Sequence, residues 1–258
     1  MAKIQTEIAA VMCCYFMWRS GYVPQTIINV GVGSGPEYKI WKWLHPDAAV
    51  VGIDPKKQRT TWGGDYIQAI ASDGRVASAT WCGRCRSPLC RWRSHHEALG
   101  RHTTLPCTTI DAVARRYKPP YFIWMDIDGG EVAAIRGARR TIRDADWINV
   151  EVEGEDNRQI HLKESLASCG FVEVFKHQTT DRLFRKKNKR RWRHVKTSQS
   201  NSNGHASLAA NKLAAIETRV RDEHARFRKL SDSHPDKAFL SWHANALYWA
   251  MELFEDKV

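Results

Sequence analysis

Four groups of residues have types and spacings suited to chemistry. In the first, Gly31-Val32-Gly33-Ser34-Gly35 is followed, 23 residues after Gly31, by Asp54. Glycines lacking a Cβ let a ligand lie against the backbone and leave N–H groups pointing at it. An acid at that distance can accept hydrogen bonds from the two hydroxyls of a ribose. The second group is carboxylates: Asp126, Asp128 and Glu131, then Glu151 and Glu153. Glu151 and Glu153 share one face of a strand by period-two alternation, where they could act as a base or hold a metal together with Asp126. The third is Cys82-x-x-Cys85 followed by Cys90 and Cys107, with His95, His96 and His102 between them. That set can supply four tetrahedral ligands to a structural zinc. Five arginines of the same stretch (Arg84, Arg86, Arg91, Arg93, Arg101), interleaved with Trp81 and Trp92, could instead grip an anionic substrate. The fourth is the run from Arg185 to Lys196, with eight Lys or Arg and no acid, in which Trp192 could stack on a base while the cations meet phosphates.

The elements needed to position these groups can be read around them. Residues up to 24 read as a helix, with Ile4, Ile8, Val11, Met12 and Tyr15 at helical spacing. Thr26 to Val30 is a β-branched strand that runs into the glycine loop. A helix follows from Pro36 to Leu44, and a second strand, Ala49 to Ile53, ends at Asp54. Strand, glycine turn, helix, strand, acid opens a doubly wound α/β nucleotide-binding fold. The alternation continues with strands at 66–71 and 75–81 around the turn Ser72-Asp73-Gly74, and then an irregular insert at 82–107. Next come a helix at 109–116, a strand at 120–125, a helix at 131–142, a strand at 147–152 and a helix at 158–168. Strands at 171–175 and 182–185 form a final antiparallel pair.

The glycine spacing alone does not separate NAD from S-adenosylmethionine. A dinucleotide fingerprint wants a third glycine at the position of Pro36, so a dinucleotide is disfavoured. The wider pattern is more telling. Asn29-Val30-Gly31-Val32-Gly33-Ser34-Gly35 with Gly52-Ile53-Asp54-Pro55 resembles the opening of the FkbM family of S-adenosylmethionine-dependent methyltransferases. Thr109-Ile110-Asp111 paired with Asp126-Ile127-Asp128-Gly129-Gly130-Glu131, and then Glu151-Val152-Glu153, complete the order.

The resemblance covers residues 25–185. It implies a class I methyltransferase (Rossmann-like) fold, a seven-stranded and mostly parallel sheet whose last strand is antiparallel. It also implies S-adenosylmethionine as cofactor and methyl transfer, usually to oxygen, on a small molecule, sugar or glycan. The cofactor set it implies is Asn29, Gly31, Gly33, Gly35, Asp54 and Asp126, with Ser72 and Asp73 in the region that faces the adenine ring. Asp126, Glu131 and Glu151 are the catalytic candidates. The family commonly has Asp where Asn29 stands, Glu where Asp54 and Asp128 stand, and Lys at the position of Trp124.

Composition bounds the rest. A chain of 258 residues with 43% hydrophobic and 26% charged side chains can bury a sizeable core, which excludes a disordered or fibrous protein. The longest apolar run, Ile8 to Trp18, is 11 residues, short of a membrane span. Seven irregularly spaced cysteines argue against a disulfide framework and for a reducing cytoplasm. The net charge is +12, and two thirds of it lies in the 185–196 run, so the body reads as only mildly basic. The expected organisation is a methyltransferase domain over 1–185 with its insert at 82–107, a basic and polar linker over 186–204, and a helical hairpin over 205–258. The aromatic-rich second helix of that hairpin should dock on the body or join copies in a homo-oligomer. Two rivals to the small-molecule reading stay open: a nucleic-acid methyltransferase or RNA/ssDNA binder using the basic run, and a non-catalytic adaptor of the same fold.

Overall fold

A computed structural model describes residues 9–10, 12–14, 16–17, 20–33, 35, 37–57, 62–82, 102–127, 129–151, 157–177, 181–187 and 218. The chain divides into two units, Met1–Arg190 and Arg191–Val258. Apart from residues 186, 187 and 218, the expected linker and helical hairpin lie outside the described residues, as do Cys85, Cys90, Asp128 and Glu153.

The strands are β1 (Thr26–Val30), β2 (Ala49–Asp54), β3 (Asp65–Gln68), β4 (Ile70–Ala71), β5 (Ser78–Cys82), β6 (His102–Thr108), β7 (Tyr121–Met125), β8 (Ala145–Glu151), β9 (Phe171–His177) and β10 (Asp181–Lys186). The helices are α1 (Glu37–Leu44), α2 (Ile110–Ala114), α3 (Glu131–Arg136), α4 (Thr141–Asp144) and α5 (Asn157–Ser168). Seven strands form one sheet in the order β3-β2-β1-β7-β8-β10-β9. β3, β2, β1, β7 and β8 are parallel neighbours, and β10 is antiparallel to both β8 and β9. This is the expected α/β class I methyltransferase sheet with its antiparallel last strand. The order reverses between β1 and β7, the switch point where such sheets open a crevice at their carboxyl ends.

The core follows the period-two alternation of the strands. Ile28, Val30, Ile123 and Ile148 face one way, into a cluster with Ile110 of α2, Ile135 of α3, Ile142 of α4 and Leu162 of α5. Ile27, Phe122, Trp124 and Trp147 face the other way, onto Trp41 of α1 and the helical Cys13, Cys14 and Met17. β1 is buried at all five positions, as its β-branched sequence requires of a central parallel strand. Trp124 is 2% exposed and meets Trp41 edge-on, ring centroids 5.6 Å apart.

Several local expectations need correction. The strand expected over 66–71 is two strands in different sheets, split at Ala69. The helix expected over 131–142 breaks into α3 and α4 around Gly137, where a Cβ would lie 2.0 Å from the Ser72 carbonyl oxygen. The insert is not irregular to its end, because His102–Thr108, rich in threonine, returns as β6 between β4 and β5.

That return also divides the proposed zinc ligands. Cys82 stands opposite His102 in the ladder, whereas the Cys107 N–H bonds to Ala77 O, five residues from Cys82 and just ahead of β5. The separation is about 16 Å at 3.3 Å per residue, so Cys82 and Cys107 cannot bind one ion. Among the described residues no three His, Cys, Asp or Glu gather as metal ligands, and no helix is long and apolar enough to cross a membrane.

Candidate active site at the carboxyl ends of β1, β2 and β7

The end of β1 turns sharply because the next strand leaves no room beside it. Gly31 has φ +87°, and a Cβ there would sit 1.6 Å from the Asp126 carbonyl oxygen. Its N–H bonds to Ile53 O while the Asp126 N–H bonds to Val30 O. The residue thus allows β7 to pass close to the turn. Gly33, at φ +56°, is different, since a Cβ there would meet nothing within 4 Å. The space over Gly33 is open to a ligand, and Gly35 packs beneath Trp62.

Asp54 is clamped at the tip of β2. It is 4% exposed. Its Oδ2 accepts the Gly33 N–H at 3.0 Å and its Oδ1 accepts the Lys56 N–H at 2.7 Å. Each oxygen keeps acceptor capacity for one further donor, so the carboxylate is oriented before any ligand arrives. Tyr66 steadies the same turn by donating to Lys56 O at 2.7 Å. Burial, reinforced by the Asp54 charge, raises the Tyr66 pKa well above its ordinary value and keeps the phenol a donor.

These groups line one cleft. Gly31, Gly33 and Asp54 form its base, Ile70, Ala71 and Trp81 one side, and Asp126, Ile127 and Gly130 the other. Of the expected cofactor residues, Gly31, Gly33, Asp54 and Asp126 therefore come together. Asn29 does not. It is fully buried on the α1 face of the sheet, and its Nδ2 donates to Glu37 Oε1 at 2.7 Å. Glu37, at the start of α1 and 2% exposed, explains the amide, because a carboxylate at position 29 would bring two acids together in the core.

Ser72 and Asp73 do not line the cleft either. Ser72 Oγ accepts the Gly74 N–H and Asp73 Oδ1 accepts the Arg75 N–H, so both side chains build the turn. The wall they were expected to supply is made by Ile70, Ala71 and Trp81. The first two follow directly from β3, but Trp81 arrives on β5 of the small sheet and carries no local signal of its destination.

The carboxylates also separate. Asp126 lines the cleft. Glu131 is buried, and its Oε1 accepts the Gly129 N–H at 2.8 Å, holding the turn after β7. Glu151 ends β8 one strand beyond Asp126, and the ladder sets Asp181 of β10 directly opposite it. Asp181 Oδ1 accepts Asn149 Nδ2 at 3.0 Å, and Cys13 Sγ donates to Asn149 Oδ1 at 3.5 Å. Burial pushes the Asp181 carboxyl up to about 6; the Glu151 charge adds to this and the Asn149 hydrogen bond opposes it. Burial likewise raises the Cys13 thiol, with Asp181 and Cys14 contributing, so this cysteine stays protonated and unreactive. Neither Glu151 nor Asp181 lines the cleft, and the pairing of these two acids is revealed only by the β8–β10 register.

The basic run is rooted in structure where it is described. The Arg185 guanidinium lies over the Trp147 ring, 5.8 Å from its centroid. Lys186 Nζ donates to the carbonyls of Ile142 and Arg143 at the end of α4.

Residues 49–173 match the family model described as Methyltransferase FkbM domain. No curated protein matches the chain. Among solved structures, the plantazolicin methyltransferase BpumL in complex with SAH is 9% identical over 72% of this chain and 85% of that one, with a TM-score of 0.36. BpumL with a pentazolic desmethylPZN analog and SAH is 10% identical over 65% of this chain, with a TM-score of 0.34. This chain spans 62% of that structure's length. By the family match, residues 49–173 are similar to a methyltransferase FkbM domain, and the strand order is that of the fold expected for one.

Proposed function

We propose that this domain transfers the methyl group of S-adenosylmethionine to a hydroxyl oxygen of a small molecule, sugar or glycan. The observation that carries the reading is the Asp54 carboxylate, fixed by the Gly33 and Lys56 N–H groups in a cleft whose base is open above Gly33. The residues fit such a cofactor. Asp54 would accept the ribose hydroxyls, the backbone at Gly31 and Gly33 would lie against the ligand, and Ile70, Ala71 and Trp81 would cover its planar base. When bound, S-adenosylmethionine supplies a methyl group already activated on a sulfonium, so the protein's tasks are to align the acceptor and take one proton from it. Asp126, which lines the cleft, takes that proton, and Glu151 with Asp181 stands one and two strands further out.

The test uses a donor labelled in its methyl group, offered with panels of alcohols, free sugars and glycans to wild type and to Asp126→Asn. The expected result is label in one acceptor class, falling at least about 100-fold in the variant, as loss of a positioned general base does. Folded wild type that labels none of the panels would overturn the reading.

A further inference from the structure

The body's positive charge is not spread evenly over its surface. Arg115, Arg116, Lys118, Arg139, Arg140 and Arg143 are all exposed. They sit on two segments tied side by side: the Asp111 carboxylate, at the start of α2, accepts the N–H groups of Arg140 and Thr141 at 2.8–3.0 Å, and the Asp111 N–H bonds to Gly137 O. Both segments pack on the same core cluster through Ile110, Val113, Ala138 and Ile142. The six cations therefore share one face. Among the described residues none of them lies within 4 Å of a carboxylate. Three acids stand near them, Asp111 capping α4, Asp65 accepting the Tyr117 hydroxyl and the exposed Asp144, so the six cations remain in excess.

This face lies away from the cleft. Lys118 O accepts the Thr26 hydroxyl where β1 begins, and Arg143 lies two residues before β8 begins, so the cations gather at the amino end of the parallel strands. Asp126 is at the carboxyl end, the length of a five-residue strand away, about 16 Å. β10 ends here too, with Lys186 bonded to Ile142 O and Arg143 O, and the sequence then continues as the basic run.

We propose that the α2–α4 face is a docking surface for the phosphate backbone of a nucleic acid. Five of its six cations are arginines, whose planar forks suit phosphate oxygens. The large exposed apolar side chains of the described residues (Val23, Trp43, Val76, Ile160, Val174) all lie outside these two segments. The face thus offers no apolar wedge to a bilayer and no hydrophobic centre to a protein partner. The proposal stands independently of the methyl-transfer reading.

The test is fluorescence anisotropy of a labelled 20-nucleotide single-stranded RNA with the full chain between 50 and 300 mM KCl. Six phosphate contacts predict a log–log salt slope of about −4, a weakening of about 300-fold between 50 and 200 mM. The triple variant Arg139→Ala/Arg140→Ala/Arg143→Ala should flatten the slope by about 2 with an unchanged thermal midpoint. Lys39→Ala/Lys57→Ala/Lys176→Ala, which removes as much charge elsewhere, should leave it unchanged. No binding at 50 mM would overturn the proposal. So would a slope that the triple arginine variant leaves intact, which would put the footprint elsewhere, or equally tight binding to phosphatidylserine vesicles or polyglutamate.

Discussion

Replacing Asp181 with asparagine should make the protein more stable, and by an amount that depends on pH. The carboxyl is pushed from 3.8 to about 6, chiefly by burial, with the Glu151 charge opposite adding to the shift. Its folded-state pKa lies above its unfolded value, so the folded state holds the proton more tightly. For an acid shifted this way, folding is unpenalised below about pH 4, loses stability as pH rises from about 4 to 6, and carries the full cost above that. Two pKa units amount to about 3 kcal/mol. Asparagine keeps an oxygen to accept Asn149 Nδ2 and removes the charge. Asp181→Asn should match wild type at pH 4 and exceed it by up to about 3 kcal/mol at pH 7.5, or about 6–12 °C in midpoint for a domain of this size. Urea unfolding of the full chain at pH 4, 5, 6 and 7.5 measures the difference. A gap that stays constant across that range, or a variant less stable than wild type at pH 7.5, would refute the assignment of Asp181 as a half-buried, destabilised carboxylate.

Other substitutions probe the turn, the core and the cleft wall. Gly31→Ala forces a Cβ to within 1.6 Å of Asp126 O at a φ that alanine resists, so it should cost more than about 3 kcal/mol and give little folded protein by circular dichroism. Asn29→Asp sets a carboxylate 2.7 Å from Glu37 in the core; it should destabilise by about 2–4 kcal/mol at pH 7.5 and recover towards pH 4, where one proton can bridge the pair, as followed by thermal melts. Trp81→Ala should weaken S-adenosylhomocysteine binding about 5–30-fold by calorimetry, the worth of one stacked ring, whereas Trp81→Phe should keep most of the affinity.

What could be read from the residues was local. Thr26 to Val30 and Ala49 to Ile53 are short apolar β-branched runs, and a buried parallel strand is the structure such runs can form. The glycine loop and Asp54 sit between those strands, so their meeting followed from the order of elements. The features that escaped depend on distant partners. Gly137 falls where the Ser72 carbonyl, in the turn after β4, leaves no room for a side chain, and the helix ends there. Asn29 turns to Glu37 rather than to the cleft because alternation along β1 puts it on the α1 face. Asp181 meets Glu151 through the register of β10 on β8, and Trp81 reaches the cleft through a hairpin whose return strand lay hidden in a Cys- and Arg-rich insert. The cationic face vanished in the average, since over residues 1–184 the acids nearly balance the bases and the charge count says nothing of which of them share a face.

The central claim is that Asp54 grips the ribose of an adenosyl cofactor, and calorimetric titration with S-adenosylhomocysteine tests it most directly. Wild type should bind at micromolar concentration. Asp54→Ala, folded by circular dichroism, should bind at least about 100-fold more weakly, because two hydrogen bonds to a charged acceptor are lost. Equal binding by the two proteins, or no heat from folded wild type, would contradict it.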